Sequence, residues 1–170
     1  MSVQRLNHAV LYVRDVEESV RFYHKALGFT TVTMMPGQAA FLRAAGSRND
    51  HDLGLFQIGS GAQPSAAGRT EVGLYHLAWE VDTLGALAEI AETLGRMGAL
   101  VGSTDHSTTK ALYARDPDGL EFEVCWLVPA ELLSEEVLAG RMELRPLDLR
   151  AEIARYGKER HGGIGVSISN

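Results

Sequence analysis

Leu6-Asn-His-Ala-Val-Leu-Tyr-Val13 and Leu74-Tyr-His-Leu-Ala-Trp-Glu-Val81 are the two stretches whose reading decides the fold. Both are apolar, rich in β-branched and aromatic side chains, and carry histidine at the third place, so each predicts a buried strand. His8 and His76 lie 68 positions apart, as do Val13 and Val81. The segments downstream of the two strands repeat as well. After the first, Asp15 predicts a helix N-cap with Glu18 as its capping-box partner. Val16, Val20, Tyr23 and Leu27 then recur at helical spacing, and Gly28 is the expected stop. Strands are predicted over 29–34, 39–42 and 53–58, with a Pro36-Gly37 turn between the first two. After the second, Asp82 or Thr83 caps a helix with Leu84, Leu87, Ala91 and Leu94 on one face and Gly98 at its end. Further strands are predicted near Leu100 and over 111–115 and 120–126, the last preceded by the turn Asp116-Pro-Asp-Gly119.

This order predicts an internal duplication. The expected fold class is α+β: two tandem βαβββ modules, 3–60 and 70–128, in one domain spanning 1–128. A Gly/Ser/Ala/Pro stretch over 59–68 reads as the linker between them. Residues 129–170 read as a helical extension and flexible tail. Pro129 is expected at a helix N1 position, with Leu132, Leu133, Val137 and Leu138 on an apolar face and Leu149, Ile153 and Tyr156 on a second stripe. These helices could cover the domain's own surface or pack on another subunit, and a homodimer or higher homo-oligomer is the expectation. His161 falls in the Gly/Ser-rich tail and is not expected to be a ligand.

The 170 residues carry 22 acidic and 16 basic side chains, a formal net charge of −6, and 45% hydrophobic residues. That composition suits one globular core and excludes a disordered chain. The acidic balance without basic runs argues against a nucleic-acid partner. No apolar run reaches the roughly 18 residues of a membrane span. Met1-Ser-Val-Gln-Arg5 has no long apolar stretch, so no signal peptide is expected, and a reducing cytoplasm suits the single cysteine, Cys125. One cysteine also excludes an internal disulfide and a cysteine-based zinc site. A bound metal would need histidine and carboxylate, and the chain has six histidines.

Strand alternation sorts the side chains. Tyr75, Leu77, Trp79 and Val81 share one large apolar face, leaving His76, Ala78 and Glu80 on the other. Phe122, Val124 and Trp126 likewise take the packing face, so Glu121, Glu123 and Cys125 share the face of His76. An inward carboxylate is costly without a partner, and a divalent cation is such a partner. Two imidazoles and one carboxylate on one side of a metal leave positions open for substrate or oxygen. The candidate triad is His8, His76 and Glu123, with Glu121 a rival that strand pattern alone does not separate. His24, beside Lys25 in the first helix, reads as solvent-facing.

These residues resemble the vicinal oxygen chelate superfamily of glyoxalase I, bleomycin and fosfomycin resistance proteins and extradiol ring-cleavage dioxygenases. Leu6 to Asp15, Leu74 to Val81 and Asp116 to Val124 carry the likeness. It implies paired βαβββ modules around a metal cleft. The family motif puts the ligand glutamate four residues after the turn glycine, which from Gly119 selects Glu123. Glyoxalase I resembles the chain less, because its fourth ligand would fall near Gly54 or Leu55, where there is no carboxylate. Sequestering resistance proteins usually lack the triad.

The likeness to one-domain catechol 2,3-dioxygenases extends further. It implies His51, in His51-Asp52, as acid–base catalyst. It also implies Tyr113, ten residues before Glu123, and His106 on the preceding loop as substrate-binding residues. The activity implied is metal-dependent cleavage of a catechol-like aromatic vicinal diol by O₂, with Fe(II) as cofactor and Mn(II) or another divalent metal suiting the same ligands. The alternatives are another metalloenzyme of the superfamily (isomerase, lyase or epimerase) or a non-catalytic protein that sequesters an aromatic small molecule. Cys125, on the face of Glu123, reads as a cleft-lining thiol open to oxidation.

Overall fold

The computed structural model describes residues 2–163. The chain falls into two compact units, the first running to Ala66 and including Asp116–Leu120, the second made of Ala67–Arg115 and the chain from Glu121 onward. The division of the chain at Ala66 lies inside the stretch read as a linker. Each unit contains one βαβββ module, so the fold class is α+β with an internal duplication.

In the first unit β1 (Ala9–Val13), α1 (Val16–Leu27), β2 (Thr30–Met35), β3 (Ala39–Arg43) and β4 (Leu53–Gln57) come in order. Asp15 caps α1 by accepting from the Glu18 N–H at 2.8 Å. Gly28 ends it at φ 69°, a left-handed conformation suited to glycine, and its N–H returns to the His24 carbonyl. The sheet order is β1-β4-β3-β2, with β1 parallel to β4 and the other pairs antiparallel. One face packs under α1, and Leu11, Val13, Leu42, Leu53 and Leu55 are buried. Full burial of each such side chain is worth about 1.5–3 kcal/mol.

The buried stripe of α1 is Val16, Ser19, Phe22, Tyr23 and Ala26, whereas Val20 and Leu27, expected on that face, are half-buried. The small Ser19 and Ala26 let the helix lie close to the sheet. Ser19 is not left unpaired, because its hydroxyl donates to the Asp15 carbonyl at 3.0 Å.

The second unit repeats the order with β5 (His76–Glu80), α2 (Leu84–Arg96), β6 (Leu100–Asp105), β7 (Thr109–Arg115) and β8 (Glu121–Leu127). Of the two cap candidates, Thr83 caps α2, its hydroxyl accepting from the Ala86 N–H at 3.1 Å. The sheet order is β5-β8-β7-β6, with a further short strand β9 (Arg145–Pro146) beyond β6, and again the first and last strands of the module are parallel. Leu112, Ala114, Phe122, Val124 and Trp126 are buried on the packing face, as the alternation predicts.

The C-terminal extension departs from expectation. Pro129 is the N-cap of a 3₁₀ turn over Ala130–Leu132, not a residue inside a helix. Ser134 then starts the five-residue α3 (Glu135–Ala139), its hydroxyl accepting from the Val137 N–H at 3.2 Å. The cap breaks the apolar run into two short pieces, and Leu138 is left exposed. A second 3₁₀ turn over Gly140–Met142 leads to β9 (Arg145–Pro146), a strand the apolar periodicity does not announce, and then to α4 (Leu149–Tyr156). α4 lies on its own unit's α2, and its stripe Leu149, Ile153 and Tyr156 is half-buried there.

The start of the tail is also held. His161 forms a bridge with Thr83, and the Gly162 N–H donates to the Asp82 carbonyl at 2.6 Å. The rest of the segment read as a flexible tail lies outside the described residues. Among the described residues no helix is long and apolar enough to cross a membrane.

The first unit gains the Asp116 turn through buried polar groups. Tyr23 Oη donates to Asp116 Oδ2 at 3.1 Å, while Asp116 Oδ1 accepts from the Asp118 and Leu120 N–H groups at 2.9 Å each. Arg14 reaches Asp118 at 2.9 Å. Tyr23→Phe leaves one carboxylate oxygen of Asp116 without its donor, and is expected to lower the unfolding free energy by about 1–3 kcal/mol, read by urea denaturation.

Candidate active site

In the second unit the parallel pairing of β5 with β8 sets Ala78 opposite Glu123 and His76 opposite Glu121. The open face therefore carries His76, Glu121 and Glu123 together. The two glutamates have different partners. Glu121 lies 3.7 Å from Arg115 Nη2, whereas Glu123 Oε2 lies 3.2 Å from His76 Nε2. Ala78, with only a methyl group opposite Glu123, leaves that carboxylate room to reach the imidazole.

Tyr113 is opposite Glu123 on β7, and its ring meets that of His76 edge-on with centroids 5.9 Å apart. Its hydroxyl lies 3.0 Å from His106 Nε2. Burial, and then the nearby Glu123 carboxylate, push the Tyr113 hydroxyl above its ordinary pKa, so it keeps its proton and can donate. Four of the six candidate residues, His76, Glu123, Tyr113 and His106, thus form one chain of contacts within one unit.

The other two meet in the first unit. His8 immediately precedes β1, which begins at Ala9 and not at Leu6 as the apolar run suggests. The loop before β4 captures the chain there: Asn49 Nδ2 donates to the Asn7 carbonyl at 2.8 Å, and the ladder starts two residues later, with the Ala9 N–H on the Asp52 carbonyl. His8 is exposed, with Nδ1 2.8 Å from Asn7 Oδ1. Its ring lies 4.6 Å from that of His51. His51, in a polar turn, is only 20% exposed; it also meets Phe41 at 4.9 Å, and its Nδ1 lies 2.8 Å from Asp50 Oδ2. A carboxylate on one ring nitrogen leaves the other available for proton transfer.

The His76–Glu123 separation bears on metal binding. Two donor atoms in adjacent positions of an octahedral divalent metal sit about 3 Å apart. Nε2 and Oε2 have nearly that spacing, and among the described residues the buried His76 Nδ1 has no hydrogen-bond partner. The pair therefore fits two ligands of such a metal. Among the described residues no group of three or more His, Cys, Asp or Glu side chains is assembled to hold a metal ion. His8 belongs to the first unit, and His76 and Glu123 to the second.

The position of a glyoxalase-type fourth ligand carries no carboxylate: Gly54 has no side chain, and Leu55 is buried in the core. Cys125 differs from its expected role: it is 8% exposed, and burial followed by Glu123 and Glu80 pushes its thiol up to about 12. A thiol so protected and protonated is a poor target for oxidation. His24 is exposed, as expected.

Comparison with known proteins agrees with this architecture. The family profile described as Glyoxalase/Bleomycin resistance protein/Dioxygenase superfamily matches residues 5–124, and the chain belongs to that superfamily. It is 32% identical over 122 residues to a catechol-2,3-dioxygenase of Bacillus subtilis, covering 70% of this chain and 40% of that protein, so it spans well under half of that relative's length. It is 26% identical to virulence protein STM3117 of Salmonella typhimurium, covering 73% of this chain and 85% of that one. Similar solved structures include a glyoxylase/bleomycin resistance protein/dioxygenase domain from Frankia sp. EAN1pec, with TM-score 0.60 and 24% identity over 73% of this chain and 92% of that one. A lactoylglutathione lyase from Agrobacterium tumefaciens aligns with TM-score 0.55 and 21% identity over 74% and 95% of the two chains. At these identities the structures show the shared fold.

The loop that carries His51 is organised by Asp52. Its carboxylate accepts from Ser47 Oγ at 2.7 Å, Asn49 Nδ2 at 2.7 Å and the Ala44 N–H at 2.9 Å. Burial alone would raise its pKa, but these hydrogen bonds outweigh it and hold the carboxyl below its usual value. A depressed native pKa stabilises the fold above the unfolded value of about 3.9, and that contribution is lost as pH falls through the native value. Asp52→Ala is expected to cost about 1.5–3 kcal/mol at neutral pH, with the difference from the native protein shrinking below about pH 4 in urea titrations.

Proposed function

We propose that the protein is a metal-dependent extradiol-type dioxygenase that cleaves the ring of a small aromatic vicinal diol with O₂. The observation that carries this reading is the contact chain of His76, Glu123, Tyr113 and His106 on one sheet face. It joins a metal-binding pair to hydrogen-bond donors for a substrate oxygen. The 32% identity to a catechol-2,3-dioxygenase supports the same reading. The lack of a carboxylate at Gly54 and Leu55 favours a three-ligand metal over a glyoxalase-type set of four.

His8, His76 and Glu123 would hold the metal, Fe(II) in this reading, with Mn(II) suiting the same donors. When bound, it supplies the positive charge that acidifies a diol hydroxyl and the redox chemistry that O₂ needs. The remaining work falls to side chains. His51, backed by Asp50, takes the hydroxyl proton and returns it during ring opening. Tyr113 donates to the substrate oxygen while His106 fixes the direction of that hydroxyl. Both atoms of O₂ enter the product as the carbon–carbon bond beside the diol breaks, so no external reductant is required. The reading takes a homo-oligomer in the cytoplasm as the working form.

The protein purified without oxygen, loaded with Fe(II) and offered a panel of catechols, is expected to take up O₂ as a coloured ring-fission product forms. Bound iron with no uptake for any vicinal diol sinks the reading. Glu123→Ala and His76→Ala are each expected to lose metal and at least ~10-fold to 100-fold in activity. Tyr113→Phe is expected to retain metal but to lose about 10²-fold in kcat.

A further inference from the structure

The loop bearing His106 is shaped by residues that the proposed chemistry does not use. Between the end of β6 at Asp105 and the start of β7 at Thr109, Ser107 adopts φ 65°. A residue with a side chain takes that left-handed conformation only with local support. Part of the support is internal: Asp105 Oδ1 accepts from the Ser107 N–H at 2.7 Å, and the His106 N–H donates to the Thr109 carbonyl at 2.9 Å.

The rest comes from the C-terminal extension, which returns to this loop three times. Gly140 packs so tightly on it that an added Cβ would sit 2.8 Å from Ser107 Oγ and 3.0 Å from Ser107 Cβ. The same Cβ would meet Arg145 Nη2 at 2.7 Å, but that is the end of a long side chain and can swing away. Ser107 Cβ moves only with its backbone. β9 pairs with the last residues of β6, Thr104 with Pro146 and Asp105 with Arg145. From α4, Glu152 Oε2 lies 3.0 Å from Lys110 Nζ, which in turn lies 2.5 Å from Asp105 Oδ1. Lys110 is 1% exposed, so its charge depends on these two carboxylates and ties α4 to the residue that holds Ser107.

We propose that the C-terminal extension positions His106, with Gly140 and Asp105 as the positioning residues that bring its Nε2 to the Tyr113 hydroxyl. The functional meaning rests on the dioxygenase reading, but the structural content does not. A bulkier residue at 140 displaces Ser107, and Ser107 carries its neighbour His106 with it. Loss of the Asp105 carboxylate frees the same turn from the other side.

The test reads the ¹⁵N ring signals of His106 in the full chain without metal or substrate, with Tyr113→Phe as the reference for a missing partner. Gly140→Ala is expected to move those signals toward the reference. Adding Ser107→Gly is expected to return them, because glycine accepts the left-handed φ and removes both clashing atoms. A folded Gly140→Ala protein with unmoved signals, or a double variant that does not recover, overturns the proposal. Asp105→Ala keeps the neutral Lys110–Glu152 pair and decides the matter if Gly140→Ala does not fold. A shift toward the reference supports positioning, and unmoved signals overturn it. A merely structural role would lower thermal stability in these variants without the rescue at Ser107. Since no turnover is measured, failure here and failure of the oxygen-uptake assay are separate results.

Discussion

Each module closes by pairing its first strand with its last in parallel, and the candidate chemistry depends on that pairing. Parallel neighbours cannot be joined by a tight turn; the chain must cross over, here through a helix and two antiparallel strands. The closure brings residues from opposite ends of a module side by side. In the second unit it sets β5 beside β8 and places His76 within reach of Glu123. In the first it sets β1 beside β4, Ala9 opposite Leu53, so that His8, just before β1, and His51, two residues before β4, meet ring to ring. One topological rule applied twice therefore produces two clusters, a pair of imidazoles in the first unit and an imidazole beside carboxylates in the second. The second cluster alone has carboxylates on its last strand.

Charge is placed with the same economy. On the open face Glu121 has a cation beside it in Arg115, which leaves Glu123 as the carboxylate that faces His76. On the packing face Lys110, opposite Trp126, is buried, a position that would be prohibitive without counter-charge. Asp105 and Glu152 provide it from a neighbouring strand and from α4. Burial raises Asp105, but the hydrogen bonds from Lys110 and the Ser107 N–H prevail and hold it below the usual carboxylate value. The buried network joins the extension to the sheet at the loop that carries His106. Trp126 adds a second attachment, its indole N–H donating to the Arg160 carbonyl at 3.1 Å.

Much of this architecture is written locally. The caps at Asp15 and Thr83, the stop at Gly28 and the Asp116 turn all act over a few residues, and each appears where its residues predict. Strand alternation is equally local, and it puts His76 and Glu123 on one face. Where the fold departs from local expectation, competing contacts come from elsewhere in the chain. β1 starts late because Asn49 holds Asn7. The stripe on α1 rotates toward Ser19 because close packing favours a small residue there. The break after Pro129 is instead local: Ser134 caps a new helix by accepting from the Val137 N–H.

Spacing and periodicity alone thus determined the duplication, the α+β class and the candidate residues of the histidine strands, since these depend on short-range backbone geometry and the pleat. Only the folded chain decided which of the candidates touch. Glu123 and not Glu121 faces His76, His51 turns from a polar loop onto His8, and Lys110 finds Glu152 far along the chain. Those outcomes depend on register, on the reach of individual side chains and on the need of buried charges for partners. Such conditions link residues distant in sequence, and no local pattern encodes them.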